Sequence, residues 1–99
     1  VPDCRFSPHA IADLADISDY TAEQFGVNQS LAYQEKLRVC FRNLVQHPLL
    51  GKSAAEILPG IRRLECQSHV IFYKVDADGV RISRVLHASM DLQKHHIPE

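Results

Sequence analysis

No apolar run in this sequence approaches the length of a membrane span, and no signal-peptide pattern opens it. Val1 in place of an initiator methionine fits processing and trimming equally. Internal repeats, low-complexity tracts and domain linkers are also missing, so residues 1–99 read as one domain with a modest core. A hydrophobic content of 45% with 23% charged residues argues against a disordered chain. Cysteine is scarce: Cys4, Cys40 and Cys66 are odd in number, widely spaced and without a Cys-x-x-Cys. Reduced thiols in a cytoplasmic protein are the economical expectation, with Cys40 in the core. No pairing of these with the histidines has structural zinc-ligand spacing, and the adjacent His95 and His96 read as exposed polar residues. No metal site is expected.

A large excess of charge is absent too, but the net −1 hides a division. Residues 1–30 carry five acids against one base, and the remainder ten bases against seven acids. Such polarity weakens any nucleic-acid function that rests on bulk electrostatics, and specific DNA binding by the chain alone is not expected.

What is present is organised around Gly60 to Asp91, GIRRLECQSHVIFYKVDADGVRISRVLHASMD. His69 to Val75 is apolar, β-branched and aromatic, as suits a strand buried on both faces. Asp78-Gly79 then precedes a second β-rich run, Val80 to Leu86, which predicts a hairpin with both turn residues at positive φ. Ile61 to Cys66 is a third strand, entered through Pro59-Gly60 in the middle of a type II turn. In the last strand, strict alternation places Val80, Ile82, Arg84 and Leu86 on one face. Arg84 interrupts that apolar face, which points to a bulge or an open groove near it.

The N-terminal half supplies the cover. Val1 to Phe6 suits an edge strand, with Pro2 excluded from a central one. Ser7-Pro8 is a helix start, and Gly26 a stop. Ile11, Leu14, Ile17, Thr21 and Phe25 form the apolar stripe, while Asp13, Asp16, Asp19 and Glu23 line a face that is ordinarily solvated. A second helix runs from near Asn28 to about Gln46, with Tyr33, Leu37, Cys40, Phe41, Leu44 and Val45 on its buried side. The short break predicts an antiparallel hairpin whose stripes pack together and on the sheet around Ile71 and Phe72 or Tyr73.

Four motifs in order carry a likeness. FSPHAIADLADISDYTAEQFG has a strand end running into an S-P-x-A helix, HPLLGK follows the hairpin, PGIRRLECQSHVIFYKV forms a strand pair, and DGVRISRVLHASMDLQKH closes the chain. With the order strand, helix, helix, three strands, the sequence resembles the RelE/ParE superfamily of toxin–antitoxin toxins, and within it the ParE branch. The resemblance implies an α+β fold: a short N-terminal strand, a helical hairpin, a three-stranded antiparallel meander and a short C-terminal tail. It also implies a bacterial, cytoplasmic toxin of the plasmid-stabilising kind, without a cofactor. An antitoxin from the same operon, ParD-like, would neutralise it in a hetero-oligomer.

Relatives of ParE type are understood to poison DNA gyrase, whereas those of RelE type cleave messenger RNA on the ribosome, so the shared fold does not choose. RNA cleavage by 2′-OH attack needs a proton acceptor, cations and an acid. Lys52, Arg63, Arg81 and His87 would supply them here, with Arg62, Arg84 and His69 as alternates. The His-Arg pair and terminal tyrosine of many RelE-type enzymes are missing: Ala88 follows His87, and no tyrosine follows Tyr73. The expectation is a gyrase inhibitor acting by contact rather than an enzyme. Arg84, Met90, Leu92 and Lys94 are then candidates for target contact. Arg62, Arg81 and Arg84 are candidate anchors for an acidic antitoxin segment, because guanidinium groups bond carboxylates in pairs. A ribosome-dependent nuclease and a non-toxic, antitoxin-binding regulator are the alternatives.

Overall fold

The computed structural model describes residues 3–90 and 96–98. It opens with strand β1, Asp3–Phe6, which leads into helix α1, Pro8–Phe25. Ser7 makes that junction. Its hydroxyl accepts the Ala10 N–H at 3.0 Å, satisfying a donor at the helix start, and donates to Ser83 O at 2.7 Å. Pro8 occupies the first turn, where a missing N–H costs nothing. Gly26, at φ 94°, ends α1 with its N–H on Ala22 O. Helix α2, Val27–Gln46, begins at once, so the break is one residue, not two.

The rest of the chain forms β2 (Lys52–Ser53), β3 (Arg62–Cys66), β4 (His69–Asp76) and β5 (Gly79–His87). One sheet results, in the order β1-β5-β4-β3-β2. Its centre is the expected antiparallel meander; β1 joins β5 in parallel, and the two-residue β2 pairs with β3. The fold is α+β. Among the described residues no helix is long and apolar enough to cross a membrane.

Three local details differ from the sequence reading. The β4–β5 turn has Ala77 and Asp78 at its centre, since Asp76 pairs with Gly79. Only Gly79 takes a positive φ, 127°, because the Asp76 carboxylate accepts the Asp78 N–H at 2.9 Å and fixes an Asx turn. Any Cβ at Gly79 would also collide with the Asp3 backbone of β1. Second, Phe72 pairs with Arg84 but Tyr73 with Ile82, which leaves Ser83 as the extra residue of a bulge. The bulge ends the strict alternation: Val80, Ile82 and Val85 lie on the helix side, while Arg84 and Leu86 lie on the other. Third, Ile11 is exposed at 59%. Ala10, Leu14 and Ile17 face the core instead.

The core has two layers. Leu37 and Leu44 of α2 pack with Ala10, Ile71, Tyr73, Val80, Ile82 and Val85 between hairpin and sheet. On the far face Val70, Phe72 and Leu86 lie beneath Ala54, Ile61 and Ile97. Phe72 therefore belongs to the far layer and Tyr73 to the hairpin layer. Between α2 and β3, Cys40 and Cys66 form a disulfide with Cα atoms 6.5 Å apart. This corrects the expectation of three reduced thiols: the helix-to-sheet packing brings two cysteines 26 residues apart into bonding range. Cys4 is the free thiol, and burial raises its pKa.

Candidate functional site

The cations of the sheet divide between its two faces. Register puts Arg62 opposite Tyr73 on the helix side. There its guanidinium donates to Leu49 O at 3.2 Å and Gly51 O at 2.5 Å. Tyr73 holds the same loop, donating to Pro48 O at 2.8 Å and accepting the Gly51 N–H at 2.9 Å. Gly51 is needed at this approach, because a Cβ would stand 2.5 Å from Arg63 O. The HPLLGK segment is thus a loop clamped by two strand side chains.

Arg63, Lys74 and Arg81 occupy the far face. Lys52 pairs with Arg63 across β2–β3, Lys74 with Arg81 across β4–β5, and Arg5 with Arg81 across β1–β5. The Arg63 guanidinium lies 5.7 Å from the Phe72 ring centroid, and Arg5 bonds Asp76, whose pKa is lowered first by that bond. Arg84 is engaged by α1. Its Nε and Nη2 each donate to the Asp13 carboxylate at 2.8 Å, and its Nη1 donates to His96 O at 2.7 Å. Asp13 also accepts the Val85 N–H at 3.0 Å, at a point where β5 has outrun β1.

His87 stands apart from this set. It pairs with His69 at the end of the sheet on the helix side, ring centroids 5.3 Å apart. Tyr33 accepts the Ser68 N–H at 3.1 Å, which leaves its hydroxyl proton for His69 Nδ1 at 2.6 Å. His87 Nδ1 accepts the Ser89 N–H at 3.1 Å. Both imidazoles then carry their proton on Nε2. Desolvation and the neighbouring His87 lower the pKa of His69. Lys52, Arg63 and Arg81 therefore share a face, and His87 is not brought to it. Met90, 42% exposed, follows His87 at the mouth of a cleft; Leu92 and Lys94 lie outside the described residues.

A separate apolar groove of about 530 Å³ runs between α1, α2 and β1. Phe6, Leu14, Leu37, Phe41 and Val45 form its walls, with Phe6 and Phe41 edge to face at 5.1 Å. Arg38 and Arg42 stand on its polar side, and Arg38 also bonds Glu35 at 3.3 Å. Strand β1 beside it is a sheet edge. Neither the groove nor the Tyr33–His69 pair was singled out by the sequence. Both depend on residues more than 30 positions apart, and only the α2 apolar stripe hinted at the groove. Among the described residues no group of three or more His, Cys, Asp or Glu is placed to hold a metal.

Comparison with known proteins adds family information to this geometry. The family model described as ParE toxin of type II toxin–antitoxin system, parDE, matches residues 4–92. Toxin ParE1 of Caulobacter vibrioides is 39% identical over 93 residues, covering 92% of this chain and 94% of the relative. Toxin ParE1 of Mycobacterium tuberculosis is 37% identical over 90 residues, covering 90% and 92%. Among solved structures, a chain of the chromosomal ParDE system from P. aeruginosa superposes with a TM-score of 0.76 at 20% identity, covering 87% of this chain and 95% of that one. A chain of the YoeB–YefM complex from Staphylococcus aureus gives 0.59 at 16% identity, with 88% and 97% covered. These two likenesses concern the fold.

Proposed function

The chain belongs to the ParE toxin family of type II toxin–antitoxin systems, and from that premise we propose that it inhibits DNA gyrase by protein contact and is neutralised by a cognate ParD-like antitoxin. One observation carries the choice against an RNA-cleaving activity. The cations that would stabilise a phosphorane, Lys52, Arg63 and Arg81, lie on the face opposite to the histidine that would move the proton. Cleavage by 2′-OH attack needs these groups within hydrogen-bond reach of one phosphate and its attacking and leaving oxygens. A toxin that acts by binding has no such requirement.

The antitoxin would occupy the groove between α1, α2 and β1. An acidic amphipathic segment, disordered when free, would bury an apolar stripe against Phe6, Leu14 and Phe41 and meet Arg38 and Arg42 at the rim. The edge of β1 offers backbone groups for an added strand. Of the candidate anchors, Arg62 is held on loop carbonyls and Arg84 on the little-exposed Asp13, so their weight passes to the exposed Arg38 and Arg42 at the groove; Arg81 lies on the far face. The titration of antitoxin against toxin-inhibited gyrase tests both halves. Supercoiling should fall with toxin and return at stoichiometric antitoxin. Phe41→Glu should lose that rescue, and a toxin without effect on supercoiling would remove the gyrase reading.

A further inference from the structure

A second and larger recess, about 910 Å³, opens where the helical hairpin meets the end of the sheet. Tyr20 and Phe25 stand on its α1 wall, 62% and 68% exposed, and Met90 lies at the sheet end. Large aromatic side chains left this open contribute nothing to the core, and beside a recess of this size they mark a binding surface. The electrostatics choose the occupant. Asp16 lines the cleft, Asp19 and Glu23 lie exposed along the same helix, and no lysine or arginine lines it among the described residues. Two histidines, His69 and His87, also line it: Tyr33 and Ser89 occupy their Nδ1 atoms, so each presents an Nε2–H that suits a carbonyl oxygen.

We propose that this cleft seats a protruding segment of the toxin's protein target, one that presents an arginine or lysine beside an apolar side chain. The apolar group packs against Met90 and Phe25, the cation lies between Asp16 and the Tyr20 ring, and the backbone carbonyl meets His87. An acidic segment is excluded by the same carboxylates, which separates this surface from the arginine-rimmed groove. The identity of the target as gyrase rests on the function proposed above; the chemistry of the occupant does not.

Two measurements test it. In an NMR titration, the dipeptide amide Phe-Arg-NH2 should shift the resonances of Tyr20, His87 and Met90, whereas Phe-Glu-NH2 should not. Asp16→Lys, at an exposed position, should weaken Phe-Arg-NH2 by about tenfold or more. Equal binding of both dipeptides, or shifts elsewhere, would overturn the cleft's assignment. In the second, Tyr20→Ala/Phe25→Ala toxin should need about tenfold more protein to inhibit gyrase, with antitoxin affinity unchanged. Full inhibition by that variant defeats the proposal and leaves the gyrase reading standing, and a loss confined to antitoxin affinity assigns the cleft to the antitoxin instead. Selective seating of Phe-Arg-NH2 on a wild-type toxin that does not touch gyrase supports the cleft and removes gyrase as its target.

Discussion

Asp13 and Arg84, 71 positions apart, form a two-pronged ion pair in which both side chains are only 13% exposed. The pair ties α1 to β5 beyond the end of β1, and Asp13 also satisfies the Val85 N–H there. Asp13→Ala should therefore cost about 2–4 kcal/mol in urea denaturation, because it strands a guanidinium and a backbone donor. The double change Asp13→Leu/Arg84→Met should cost less than the two single changes summed. Strict additivity would show that the two residues do not act as a unit.

The hairpin packing makes a contrast within the apolar stripes. Leu37, 2% exposed, should cost about 2–5 kcal/mol as alanine, whereas Ile11, 59% exposed, should cost about 0.5 kcal/mol or less. Similar losses at the two positions would mean that α1 is rotated from the orientation described.

The Cys40–Cys66 bond closes a loop of 26 residues' separation between α2 and β3. Reduction should lower stability by about 3–4 kcal/mol on the chain-entropy account. Thermal melts with and without dithiothreitol should diverge for the native chain and coincide for Cys40→Ala/Cys66→Ala. A native chain indifferent to dithiothreitol would contradict the bond.

Much of this architecture is legible in the sequence where its cause is local. Ser7-Pro8 and Gly26 mark the helix ends by capping chemistry, and the Leu58 C=O to Ile61 N–H bond with Gly60 at φ 82° is the turn that Pro59-Gly60 announces. The bulge was signalled by an arginine in an apolar row. What escaped is non-local: the parallel seat of β1, the cysteine pair, and the role of Asp13, which on α1 alone is one more acid in a solvated stripe. Arg62 and Arg84 read as surface cations for the same reason. Their partners are backbone carbonyls and a carboxylate that only the folded chain brings near.

His69 gives the stability a pH dependence of known sign. Desolvation and His87 place its folded-state pKa below the ordinary 6.5, with Asp13 opposing. The unfolded chain then binds more protons, so its contribution is complete above 6.5 and is lost as pH falls below that value. Denaturation midpoints should decline on acidification through this range, and His69→Asn should flatten the decline. An unaltered slope in His69→Asn would assign the acid sensitivity to other groups.

The most direct measurement mixes purified toxin with gyrase, ATP and plasmid, quenches with detergent and counts linearised DNA, beside ribosomes programmed with messenger RNA. A toxin that acts by contact should accumulate gyrase–DNA cleavage complexes, lose that effect when antitoxin is added, and leave the messenger intact. Site-specific cleavage of the messenger with no linear DNA would contradict the account. It would require Lys52, Arg63, Arg81 and His87 to converge on the ribosome in a way this fold does not present.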